Sequence, residues 1–158
     1  METQNLDRID RRLLKALQED CRQPISELAA LVALSPSACH RRIKLLEERG
    51  VLEGYVARLN GKKMGYLIEF FVEVSLYSQS QDILRQFEDA ARRVPEILEC
   101  HLMTGQADYM LKVAARSTED YERIHRDCIA QLPNVSRIQS SLVLRTVRHW
   151  SGYAVDTA

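Results

Sequence analysis

The chain has 158 residues, 46% of them hydrophobic, and its 22 Lys and Arg are balanced by 22 Asp and Glu. That length and apolar share suffice for one ordinary core or two small ones, and they exclude a disordered chain. The longest apolar runs, such as AALVAL at 29–34, fall far short of the ~20 residues that span a bilayer, so no membrane association is expected.

The opening METQNLDRID lacks the basic-then-apolar layout of a signal peptide, which places the protein in the cytoplasm as an expectation. In that reducing compartment Cys21, Cys39, Cys100 and Cys128, with no CxxC pair among them, are expected to be free thiols in packed positions. Leu6, Ile9, Leu13, Leu14 and Leu17 recur at helical spacing and predict a first amphipathic helix. Pro24 sits at the start of a second, whose stripe is Ile25, Leu28, Ala29 and Val32 and which ends near Ala33. Ser35 then reads as an N-cap and Pro36 as the first residue of a third helix, stopped by Gly50. Cys39, Ile43 and Leu46 form its core stripe, while Ser37, His40, Arg41 and Lys44 point elsewhere. VLEGYVARLN reads as one or two short strands turning near Gly54, the size of a wing. Three short helices and a small β element make a winged helix-turn-helix over residues 1–60. The first ten residues of SPSACHRRIKLLEERG carry three basic side chains and no acidic one. A helix that enters the major groove requires that layout, because negative charge there would face phosphate at close range.

GKKMGY, at 61–66, reads as a hinge with two glycines and two lysines. Beyond it, Ile68, Phe70, Val72, Val74 and Leu76 alternate along a strand, and SQDILRQFEDAARRV predicts a helix ending before Pro95. ILECHLMT and DYMLKVAA read as two strands joined at Gly105, Gln106 and Ala107. STEDYERIHRDCIAQL reads as a helix capped by Ser117 or Thr118, and VSRIQSSLVLRTVR as a long last strand. This order predicts a ferredoxin-like βαββαβ domain over residues 67–150, with a tail at 151–158 and an α+β fold overall. Leu67, Phe71, positions 142 and 143, and Val147 suggest a second sheet face that is not fully polar, for which a partner subunit is the economical cover.

The run from Leu6 to Asn60, together with the loop GQADYML, resembles the Lrp/AsnC, or feast/famine, regulators over nearly the whole chain. The resemblance implies an RAM/ACT-like regulatory domain and a transcriptional regulator that binds double-stranded DNA. It further implies a homodimer, assembling to an octamer, modulated by a small amino-acid effector at subunit interfaces. Carried over to this sequence, it implies base or base-proximal contacts from Ser37, His40 and Arg41, and phosphate contacts from Ser35, Arg42 and Lys44; for Arg42, beside Ile43 near the core boundary, stacking or pairing with Glu47 or Glu48 is the alternative. It places the effector at Gly105 and Asp108, with Met103, Thr104, Gln106 and Tyr109 around the same turn and Ser140 or Ser141 adding hydroxyls. A zwitterion needs acceptors for its ammonium and donors for its carboxylate, so Asp108 is expected at the ammonium end.

Two alternatives stand beside that reading. Siroheme decarboxylases resemble the same two-domain architecture, and a stand-alone amino-acid sensor would carry a vestigial helix-turn-helix. The sequence shows no nucleophile–base pair and no phosphate-cradling glycine loop, so no enzyme activity and no cofactor are expected. The best metal candidate, His125 with Cys128, lacks the four ligands a zinc site wants.

Overall fold

Asp7 opens the first helix by accepting the Asp10 N–H on its side chain, and α1 runs over Arg8–Glu19. α2 (Ile25–Leu31) begins after Pro24, and α3 (Pro36–Glu48) begins after Ser35, whose Oγ accepts the Ala38 N–H at 3.2 Å. Between α2 and α3, Leu34 donates to the Ala29 carbonyl at 3.0 Å across Ala33, which stands at φ +55°. This closing turn places a left-handed residue after a helix with alanine where glycine is usual. The computed structural model describes residues 6–156; the first five residues of the expected first domain and the last two of the expected tail lie outside them.

The chain divides into two compact units, one comprising the chain up to Arg58 together with the stretch from Arg148 on, the other Leu59–Val147. In the first unit Leu13, Leu17, Leu28, Ala29, Val32, Cys39 and Ile43 form the core, as the three helical stripes require. The strands expected over 51–60 do not form: a bend at 51–52 is followed by a stretch without regular secondary structure, so the domain is a helix-turn-helix without a wing of its own. The C-terminal stretch belongs to this unit as well. Tyr153 N–H donates to Gln18 Oε1 at 2.7 Å and Gln18 Nε2 donates back to the Tyr153 carbonyl at 3.1 Å, which holds the C-terminal stretch on α1. Gly152, at φ +105°, lies where a Cβ would run into the Gln18 carboxamide.

The second unit contains β1 (Ile68–Leu76), α4 (Gln81–Ala91), β2 (Ile97–Leu102), β3 (Tyr109–Ala115), α5 (Thr118–Asp127) and β4 (Val135–Leu142). The sheet order is β2-β3-β1-β4 with every pair antiparallel, the ferredoxin-like arrangement. Phe70, Val72, Val74 and Leu76 are buried under the helices with Phe87, Leu111, Val113 and Ile124. Leu67 and Phe71 remain exposed on the other face, where Lys112 stands 3.9 Å from Glu69 and 3.5 Å from Glu99. The last strand ends at Leu142, short of the expected Arg148, and Leu142 pairs with Phe70, which puts it on the helix side. The expected hinge at 61–66 is a hydrogen-bonded turn: Lys62–Met64 forms a 3₁₀ helix closed by Gly65 at φ +89°. Of the cysteines, Cys39 is fully buried, and burial pushes its thiol pKa up, which suits packing rather than redox reactivity. Cys128 is half-buried, but Cys21 and Cys100 are exposed, contrary to the packed positions expected.

Candidate nucleic-acid interface and effector loop

Helical periodicity turns Cys39, Ile43 and Leu46 inward and leaves Ser37, Arg41 and Lys44 together on the opposite, exposed face of α3. Ser35 sits at the head of that face, its hydroxyl 3.1 Å from that of Ser37. Lys44 is 3.8 Å from Glu48, both largely exposed, so the pair is weak and the ammonium stays available. His40 flanks the face and lines a cleft of about 440 Å³ with Cys21, Glu47 and Tyr55. Tyr55 donates to Glu47 at 2.9 Å; burial, then the Glu47 carboxylate, pushes its phenol pKa up to about 12.

Arg42 is elsewhere. Its Nη1 reaches Asp7 Oδ2 at 2.6 Å and Asp10 Oδ1 at 2.8 Å, so the guanidinium ties α3 to the start of α1 and is not a free phosphate contact. The reason is angular: Arg42 falls between the exposed face and the core stripe, where Asp10 is buried and needs a cation. Asp7 and Asp10 were missed as part of this site. No spacing in the sequence pairs Asp7 or Asp10 with Arg42, which lies more than 30 residues away.

The Asp10 N–H bond, with Arg42, holds the Asp7 carboxyl below its usual value of 3.8. A depressed carboxylate adds stability that is complete above the unfolded value and lost as pH falls through the folded one. Thermal unfolding of the first unit should therefore soften as pH drops below about 4, and Asp7→Asn should flatten that acid limb. An identical acid limb in the variant would contradict the role of this cap.

The loop after β2 behaves as two groups. Met103, Thr104, Gly105 and Gln106 are exposed, and Gly105 takes φ +139°. Asp108 and Tyr109 turn inward. Asp108 Oδ2 accepts the Leu76 N–H at 2.7 Å and Oδ1 accepts Gln79 Nε2 at 2.6 Å, so this carboxylate is a buried clasp and not the open ammonium acceptor expected. Tyr109 is core, its ring tilted against that of Phe87 with centroids 4.4 Å apart and its hydroxyl on Glu88 at 2.9 Å. Ser140 is not brought to the loop: it pairs with Val72 on β4, with β1 between it and β3, and its hydroxyl accepts from Tyr121. Among the described residues no three His, Cys, Asp or Glu converge on a metal position, and no helix is long and apolar enough to cross a membrane.

Residues 6–47 match the AsnC-type helix-turn-helix domain, and residues 69–151 match the Lrp/AsnC ligand binding domain. The chain belongs to the Lrp/AsnC family. It is 46% identical over 116 residues to an uncharacterised HTH-type transcriptional regulator of Sinorhizobium fredii, covering 73% of this chain and 91% of that protein. It is 35% identical over 153 residues to the leucine-responsive regulatory protein of Escherichia coli K12, covering 97% and 93%. A solved transcriptional regulator of Neisseria meningitidis in complex with L-methionine superposes with a TM-score of 0.90 at 32% identity, covering 96% of this chain and 98% of that one. For an Lrp/AsnC protein, α3 is the second helix of the DNA-binding motif and the βαββαβ unit is the ligand-binding domain. These relatives are transcriptional regulators, which favours that reading over the tetrapyrrole-enzyme and stand-alone-sensor alternatives.

Proposed function

We propose that this Lrp/AsnC regulator reads an operator through the face Ser37–Arg41–Lys44 of α3, with Arg41 on a base edge and Ser35 and Lys44 on phosphates. The observation that carries this reading is the exposed, acid-free face at the capped N-terminal half of α3. His40 lies at its margin, and Arg42 serves α1 instead. An arginine that reads guanine with two hydrogen bonds is worth about 1–3 kcal/mol of discrimination. Arg41→Ala should thus weaken binding to DNA from upstream of its own gene by roughly 5- to 150-fold. Fluorescence anisotropy at several salt concentrations measures it, and equal affinity in the variant would overturn the assignment.

The effector is a small amino acid held at the exposed backbone of Met103, Thr104, Gly105 and Gln106. Support comes from the L-methionine complexes of the Neisseria regulator and of the Mycobacterium tuberculosis feast or famine regulatory protein. With Asp108 already engaged, an ammonium acceptor comes from loop carbonyls or from a second subunit, so the site is complete only at an interface. A homodimer supplies that interface. It also covers Leu67 and Phe71 on the open sheet face, and Val56 and Leu59, which are 87% and 69% exposed on the unpaired stretch before the turn. Assembly of such dimers into an octamer brings several reading heads to one stretch of DNA. The effector acts only as far as it prefers one assembly or head spacing over another. The chemistry of reading and sensing fits a cytoplasmic regulator without catalytic activity.

A further inference from the structure

A chain without net charge that holds a polyanion must concentrate its cations where the phosphates run. Six to ten phosphate contacts, a common number for operator complexes, is more than α3 supplies. Arg42 is neutralised by Asp7 and Asp10, Lys44 shares Glu48, and Arg41 is committed to a base in the reading above. A second source of positive charge is required. The run 54–68, between Glu53 and Glu69, contains no acidic residue and holds Arg58, Lys62 and Lys63.

The two lysines are presented differently from solvated side chains on a loose linker. Asn60 Oδ1 accepts the Lys63 N–H at 3.1 Å, Met64 N–H reaches the Asn60 and Gly61 carbonyls at 3.1 and 3.0 Å, and Tyr66 N–H reaches Gly61 at 2.9 Å. Gly65 closes the turn in the left-handed region, which a side chain would oppose. The backbone is thus fixed by its own hydrogen bonds. Both ammonium groups are exposed, and neither makes an ion pair or side-chain hydrogen bond among the described residues. Neither Lys44 nor Lys112 is so free, since each faces a carboxylate.

We propose that Lys62 and Lys63, on this rigid turn, contact duplex DNA phosphates flanking the half-site read by α3. The inference rests on that reading. Lys62 lies twelve positions after Gly50, just past the end of α3. At ~3.4 Å per residue this caps the reach at about 40 Å, or about 12 base pairs. The contacted phosphates therefore lie within one helical turn or so of the half-site. Their contribution is independent of sequence, raising affinity and salt dependence while base preference stays with α3.

The full-length protein on a mixed-sequence duplex of about 40 base pairs tests this through the slope of log affinity against log salt. Lys62→Ala with Lys63→Ala should reduce the slope by about 1.8 per bound protomer, each lost phosphate contact being worth about 0.9. Lys62→Arg with Lys63→Arg should restore it, and the base preference should match wild type in both. An unchanged slope in the alanine pair, with native size and thermal transition, overturns the proposal. A changed particle size overturns it too, by making the turn a subunit contact. If Arg41→Ala leaves base preference intact while the lysine slope falls as expected, the reading of α3 fails and the phosphate contact stands.

Discussion

Replacing Arg42 with alanine is expected to lower the stability of the first unit by about 2–3 kcal/mol, a loss on the order of 10–20 °C in its thermal midpoint. The size follows from what is left behind. Asp10 has a side chain only 9% exposed and would lose the guanidinium 2.8 Å away, which leaves a buried carboxyl group without its partner. Asp7 contributes less, since half its side chain is in water and screened. Differential scanning calorimetry reads the loss, and a midpoint within about 2 °C of wild type would contradict it. Below the new midpoint the variant should retain the wild-type salt slope on DNA, because Arg42 gives no phosphate contact. Lys44→Ala, a surface change, should do the reverse: it keeps the midpoint and lowers the slope by about 0.9.

Asp108→Ala is expected to destabilise the second unit by about 2–4 kcal/mol. β1 pairs with β3 only as far as Val74, opposite Tyr109, so the Leu76 N–H on that edge has no strand partner, and Asp108 is the group that accepts it. Removing the carboxylate strands a buried donor, whereas Gln79 can turn to water. Asp108→Asn keeps one acceptor, and its cost should be about 1 kcal/mol. Chemical denaturation followed by circular dichroism distinguishes the two variants. If instead Asp108→Asn kept full stability and lost amino-acid binding, Asp108 would be an effector ligand and its part as a clasp secondary.

These two residues mark where the sequence was legible and where it was not. Helix boundaries came from local chemistry: Ser35 before Pro36, Gly50 after the last turn, Ser117 before Asp120. Strand faces came from the period of two along Phe70, Val72 and Val74. The misplaced side chains depend on partners far away in sequence. Arg42 meets Asp7 35 residues back, and Asp108 meets Leu76 32 residues back, partners that no local spacing identifies. The same holds for Ser140, whose hydroxyl was read as a ligand group and is bound to Tyr121 across the α5 surface. The wing failed for a different reason. Tyr55, Val56 and Leu59 have strand-forming side chains, but in one chain no neighbouring backbone lies beside them to pair with. The C-terminal stretch gave no periodic signal at all, because a glycine turn and one glutamine carboxamide hold it on α1.

The most direct test of α3 as the reader is to select bound duplexes from a randomised library with wild-type protein and with Arg41→Ala, and to compare the enriched motifs. Wild type should enrich a pseudo-palindromic site, and the variant should lose its preference at one base pair in each half while keeping the rest. The same motif from both proteins, or none from either, would contradict base reading by Arg41 on the exposed face of α3.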